Sequence, residues 1–170
     1  MKRFVLMIAA VLLAYSAAGA ADMFTLKRAG EKTIAATALP NGMHFRGFEG
    51  KPVLVNFFGK NCRYCKREIP HLAALKQRYK DRIGIIGIHV QERMSSEERS
   101  ALQKQLGINY PFFEYDDNMA IVRHIGSRAG YNGSIPFNIF FNGKGDVVEI
   151  VPGYLGEQDL EMIFSELLKR

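Results

Sequence analysis

The chain has 170 residues, 48% of them hydrophobic, a formal net charge of +6 and two cysteines. This is enough for one domain with its own apolar core. Removing Lys2 and Arg3 takes +6 to +4, and the one basic cluster, Lys60, Arg63, Lys66 and Arg67, flanks the cysteines, so nucleic-acid binding finds no support; repeats and low-complexity stretches are absent.

Residues 1–20 read as an export signal: Met1-Lys2-Arg3 is a basic start, Phe4 opens an uncharged apolar stretch, and Ala18-Gly19-Ala20 is a small-residue cleavage site. The competing reading is an uncleaved anchor, because residues 4–21 carry no charge over eighteen positions, the lower limit for a membrane span. The weak apolarity of residues 16–21 favours cleavage before Ala21 or Asp22. The chain is therefore expected in the periplasm or an equivalent exported compartment, at the membrane only if the leader is retained. Lacking a cysteine near the cleavage region, it offers no lipid attachment point there.

Residues 21–50 are expected to form an N-terminal extension with β elements packing on the domain, with Gly42, Gly47 and Gly50 as turn signals. Residues 51–170 form the main domain. Val53-Leu54-Val55-Asn56-Phe57-Phe58 reads as a buried strand, and the spacing of Ile69, Leu72, Leu75 and Tyr79 predicts a helix over 63–79, kinked at Pro70. A second buried strand is expected over 83–90, and a helix capped by Ser95 or Ser96 runs to about Leu106. A short strand over 110–113 and a short helix over 117–124 follow. Strands over 136–141 and 147–151, joined by the turn Asn142-Gly143-Lys144-Gly145, make a hairpin before a last helix over 158–168. Helical crossovers give parallel strands and a tight turn gives an antiparallel pair, so the expectation is a three-layer α/β fold with a central mixed sheet and helices on both faces.

Both cysteines lie in Cys62-Arg63-Tyr64-Cys65, between the first strand and its helix. A cysteine at a helix start meets unpaired N–H groups and the positive end of the macrodipole, which favour the thiolate. Thiolates attack disulfides, so the pair reads as a redox couple with Cys62 as nucleophile and Cys65, one turn deeper, as resolving thiol. Zinc would need two more ligands, and His44, His71, His89 and His124 do not have finger spacing; haem attachment would need a histidine where Lys66 stands. A purely structural disulfide across so short a loop would constrain the unfolded chain little. Glu68, three residues past Cys65, shares its helix face and is either a proton partner for that thiol or a solvated helix glutamate. Phe58 and Tyr64 are candidates for an apolar rim, Phe58 with the stronger claim to the core, and Arg63 with Lys60, Lys66 and Arg67 for weak thiolate support. His71, His89 and His124 read as structural or surface residues without identified partners.

The run from Val53 to Pro70, including Cys62-Arg63-Tyr64-Cys65-Lys66-Arg67-Glu68-Ile69-Pro70, resembles the thioredoxin superfamily and within it the exported TlpA/ResA/CcmG-like branch. Gly133-Ser134-Ile135-Pro136 is similar to that family's cis-proline loop, and 145–153 to its closing hairpin. The dipeptide Arg63-Tyr64 departs from the family, and the approach to Pro136 is longer. The resemblance implies a thioredoxin-like fold, the couple Cys62–Cys65 without a cofactor or metal, and Glu68 in proton exchange, helped by Asn56 standing where thioredoxin has an aspartate. It also implies a cis Pro136 with Ile135 pairing its backbone to an extended substrate, and a substrate surface that includes Arg63 and Tyr64. The implied activity is thiol–disulfide exchange, as a dithiol reductant of protein disulfides such as cytochrome c apoproteins, fed by a membrane thiol carrier. The alternatives are an oxidase or isomerase in the same compartment and a Cu(I)-binding module. A peroxidase would want a threonine where Gly59 stands. The loop Ser127 to Ser134 is a candidate specificity element with Tyr131 as its anchor.

Overall fold

The computed structural model describes residues 21–28 and 32–169, so the leader reading of 1–20 lies outside the described residues. Among the described residues there are two sheets. Strands β1 (Met23–Leu26), β2 (Ile34–Leu39) and β3 (Gly42–Phe45) form an antiparallel sheet in that order. The main sheet has the order β6-β5-β4-β7-β8, built from β4 (Val53–Phe58), β5 (Gly84–His89), β6 (Phe112–Glu114), β7 (Phe137–Phe141) and β8 (Val147–Pro152). Strands β4, β5 and β6 run parallel through helical crossovers, whereas β7 is antiparallel to both β4 and β8, so the sheet is mixed as the connections predict.

The helices are α1 (Arg63–Tyr79), α2 (Ser96–Leu106), α3 (Met119–Arg128) and α4 (Glu157–Leu167). Helix α1 continues through Pro70, and a short 3-10 turn at Lys80–Arg82 leads to β5. Helix α2 starts at a complete capping box: the Ser95 side chain accepts from the Glu98 N–H, and the Glu98 carboxylate accepts from the Ser95 N–H. Helix α3 runs to Arg128, four residues past the expected end, because Ile121, Val122 and Ile125 keep an apolar stripe on the sheet.

Strand alternation assigns β4 to two cores. Leu54 and Phe58 pack with Ile69 and Leu72 of α1, Leu102 and Leu106 of α2, and Leu160 and Phe164 of α4. Val53, Val55 and Phe57 pack on the other face with Ile121 and Ile125 of α3, and with Leu26, Ile34, Met43 and Phe45 of the small sheet. Helices therefore cover both faces, and the small sheet covers what α3 leaves. The carboxyl end of β4 delivers the chain to the start of α1, which is where the cysteines lie.

Candidate functional site

Cys62 is the N-cap of α1, in extended conformation at φ −86° and ψ 112°. Its Sγ accepts a hydrogen bond from the Cys65 N–H at 3.0 Å, one of the donors a helix start leaves unpaired. Cys62 and Cys65 form a disulfide with their Cα atoms 5.2 Å apart. Cys62 is half-buried and Cys65 is fully buried in the α1–α4 core, so an incoming partner meets Cys62. Around it, Arg63 is exposed and Tyr64 is 54% exposed, while Phe58 is core, not rim. Pro136 is buried, its peptide bond with Ile135 is cis, and the Ile135 carbonyl oxygen lies 3.8 Å from Cys62 Sγ.

Glu68 is fully buried on the same face of α1 as Cys65. The solvated reading of this residue is therefore incompatible with its position. Asn56 Nδ2 donates to Glu68 Oε1 at 2.8 Å, Asn138 Nδ2 donates to the same oxygen at 3.2 Å, and the Leu155 N–H donates to Oε2 at 2.6 Å. Burial pushes the Glu68 carboxyl up from 4.5 to about 7, although these three hydrogen bonds to its charged form pull it down. Asn56 is bonded to Asn138 as well, through its Nδ2 and Asn138 Oδ1 at 2.8 Å. Neither amide can take up a proton near neutral pH, so among these groups the carboxyl alone can exchange one.

The basic cluster is divided among partners. Lys60 pairs with Glu98 at 2.8 Å, and Arg67 lies over the Tyr154 ring at 4.9 Å and the Tyr64 ring at 6.0 Å. Thiolate support from Lys60 and Arg67 is correspondingly reduced, and the helix terminus is left as the main favourable field at Cys62. Two expectations are corrected. Ser127 and Arg128 belong to α3, so the loop is shorter than its composition suggests, and Tyr131 is packed edge-on against Phe57 at 4.7 Å and Phe137 at 5.1 Å instead of standing free as an anchor. The histidines have partners: His71 meets Tyr154 Oη, His124 lies against the Phe24 ring in a tilted contact, and His89 is fully buried and bonded to Glu114.

The AhpC/TSA family model matches residues 19–150, most of the chain, including Cys62, Cys65, Glu68 and Pro136. The chain belongs to the AhpC/TSA family. It is 30% identical over 149 residues to the thiol-disulfide oxidoreductase ResA of Halalkalibacterium halodurans, across 85% of this chain and 80% of that protein. Its fold is similar to that of a thiol:disulfide interchange protein of the thioredoxin family from Chlorobium tepidum, with a TM-score of 0.67, 22% identity, and coverage of 77% of this chain and 98% of that one. A secreted disulfide oxidoreductase of Mycobacterium tuberculosis homologous to DsbE of E. coli has the same fold, with a TM-score of 0.57 at 18% identity over 73% of this chain and 88% of that one. This AhpC/TSA protein is a thiol–disulfide oxidoreductase with a thioredoxin-like fold and a CxxC pair, Cys62–Cys65.

Asn138, the Leu155 N–H, His89 and Glu114 escaped the reading of the sequence. Two signals were available. Asn56 and Asn138 are polar residues inside otherwise apolar strands, and His89 and Glu114 end two runs of hydrophobic residues. A polar group in a buried strand requires a partner. Only strand register says which one it gets.

Proposed function

We propose that the protein is an exported dithiol reductant of protein disulfides. The observation that carries this reading is a buried carboxyl, held near neutrality, on the helix face of the buried cysteine. A carboxylate there works against a thiolate at Cys65, withholds stabilisation from the reduced charged state, and so favours release of electrons. Export is supported by the leader-like residues 1–20 and by the relative described as secreted.

In the reaction the Cys62 thiolate attacks one sulfur of a substrate disulfide. A Cys62–substrate disulfide forms and the other substrate sulfur leaves as a thiolate, which takes a proton from water. The Cys65 thiol passes its proton to the Glu68 carboxylate, and the Cys65 thiolate then attacks Cys62 Sγ. The second substrate thiolate leaves, and two electrons have moved from the dithiol to the substrate. A membrane thiol carrier, itself oxidised to a disulfide, restores Cys62 and Cys65. The exposed Arg63 and Tyr64 and the backbone of Ile135 beside Pro136 hold the substrate as an added extended segment, and cytochrome c apoproteins are the substrate class.

Two measurements test the reading. Cys62→Ala is expected to abolish disulfide reduction and Cys65→Ala to accumulate a mixed disulfide with an oxidised apocytochrome; an active Cys62→Ala variant sinks the assignment. Equilibration with glutathione should place the couple near the thioredoxin value of about −270 mV, whereas a value near −120 mV selects the oxidase or isomerase alternative.

A further inference from the structure

A second buried polar cluster takes no part in the exchange sequence. His89 closes β5 and stands in register with Glu114 at the end of β6. Its Nε2 lies 3.1 Å from the Lys60 backbone nitrogen, in the loop that leads to Cys62. A backbone N–H can only donate, so Nε2 presents its lone pair and the ring proton sits on Nδ1. That proton is donated to Glu114 Oε2 at 2.8 Å, and Glu114 Oε1 accepts from Arg99 Nη2 at 2.5 Å. His89 and Glu114 are both buried, so the tautomer is fixed by a carboxylate that is itself fixed by a guanidinium.

The same loop is held a second time. Gln91 Oε1 accepts from the Asn61 N–H at 2.8 Å, so the two backbone donors before Cys62 end on the side chains of His89, the last residue of β5, and Gln91, two residues past it. The Cys62 N–H then turns back to the Gly59 carbonyl at 3.2 Å. The fit is close: a Cβ at Gly59 would stand 2.3 Å from Gln91 Cδ. A packing histidine has no need of this chain of bonds, because an apolar side chain would fill the volume.

We propose that His89, oriented by Glu114 and Arg99, is a positioning residue for Cys62. It anchors the loop that sets Cys62 at the N-cap of α1, and thereby sustains the thiolate. The charged groups around it are Glu114 on β6, Arg99 and Glu98 on α2, Arg28, which interacts with Arg99 and Glu114, and Lys60, paired with Glu98. The inference rests on Cys62 as the nucleophile, which Cys62→Ala tests independently.

The experiment compares His89→Leu with His89→Gln in the full-length reduced protein, reading the alkylation rate of Cys62 by iodoacetamide against pH. Glutamine can place an amide oxygen where Nε2 sits, and leucine cannot. His89→Leu is expected to raise the Cys62 pKa and slow alkylation near pH 6 by about fivefold, the order of one hydrogen bond. His89→Gln should recover the wild-type rate and pKa. A folded His89→Leu protein with the wild-type profile overturns the proposal, as does a His89→Gln variant as slow as His89→Leu. On the unaltered protein, long-range proton–nitrogen NMR should show His89 protonated at Nδ1 and bare at Nε2 at neutral pH; a proton on Nε2 also overturns it.

Discussion

At the scale of single residues, the site is governed by how far Glu68 is from water. Its carboxyl is held at about 7 in the folded chain against 4.5 for the free group. Between those values the folded protein keeps a proton that the unfolded chain has released, so stability falls as pH rises through the window. The contribution is complete below about 4.5 and gone above about 7, roughly 3 kcal/mol in all at 1.36 kcal/mol per pH unit. Glu68→Gln replaces the titrating group with an amide that can occupy the same network. Urea denaturation of the disulfide form should show the wild type losing stability between about pH 4.5 and pH 7 and the variant changing much less. Parallel curves for the two proteins would show that Glu68 does not titrate in that window. The sequence placed Glu68 on the Cys65 face by spacing alone, while its burial and its three donors come from β4, β7 and the Leu155 backbone.

At the scale of elements, register decides which polar residues meet. Antiparallel pairing of β4 with β7 sets Asn56 opposite Asn138, and parallel pairing of β5 with β6 sets His89 opposite Glu114. A slip of one residue would send each side chain to the other face of the sheet, so register and chemistry are coupled. The junction of the two sheets is equally exacting. The Met43 N–H donates to the Gly145 carbonyl at 2.8 Å and the Val147 N–H to the Asn41 carbonyl at 2.9 Å, tying β3 to the β7–β8 turn. A Cβ at Gly42 would stand 1.9 Å from the Gly145 oxygen, which is backbone and cannot swing away. Gly42→Ala should therefore cost about 1–3 kcal/mol in chemical denaturation. Because this turn lies at the end of β7 opposite Pro136, Cys62 alkylation should be unchanged in the folded variant. Loss of reactivity without loss of stability would contradict that separation.

At the scale of the whole molecule, the small sheet completes the core, since Leu26, Ile34, Met43 and Phe45 pack in one cluster with Val55, Phe57 and Ile139. We infer that residues 51–170, although they hold the complete CxxC site, lean on 21–50 for stability. A chain truncated to 51–170 should bind a hydrophobic dye and lose its cooperative thermal transition, because it exposes the part of the β4 and β7 face that α3 leaves uncovered. A sharp transition near that of the longer chain would make the extension dispensable. The strand and helix order, the mixed sheet and the redox couple follow from local signals: runs of β-branched and aromatic residues, apolar spacing of three and four, turn glycines, and two cysteines at a helix start. These are short-range properties of the chain, legible before any fold is known. The partners of Glu68 and His89, the packing of Tyr131 and the extra turn of α3 depend on residues far apart in sequence. They are set when the chain folds, because a buried polar group must find its hydrogen-bond partner wherever strand register and core packing bring one.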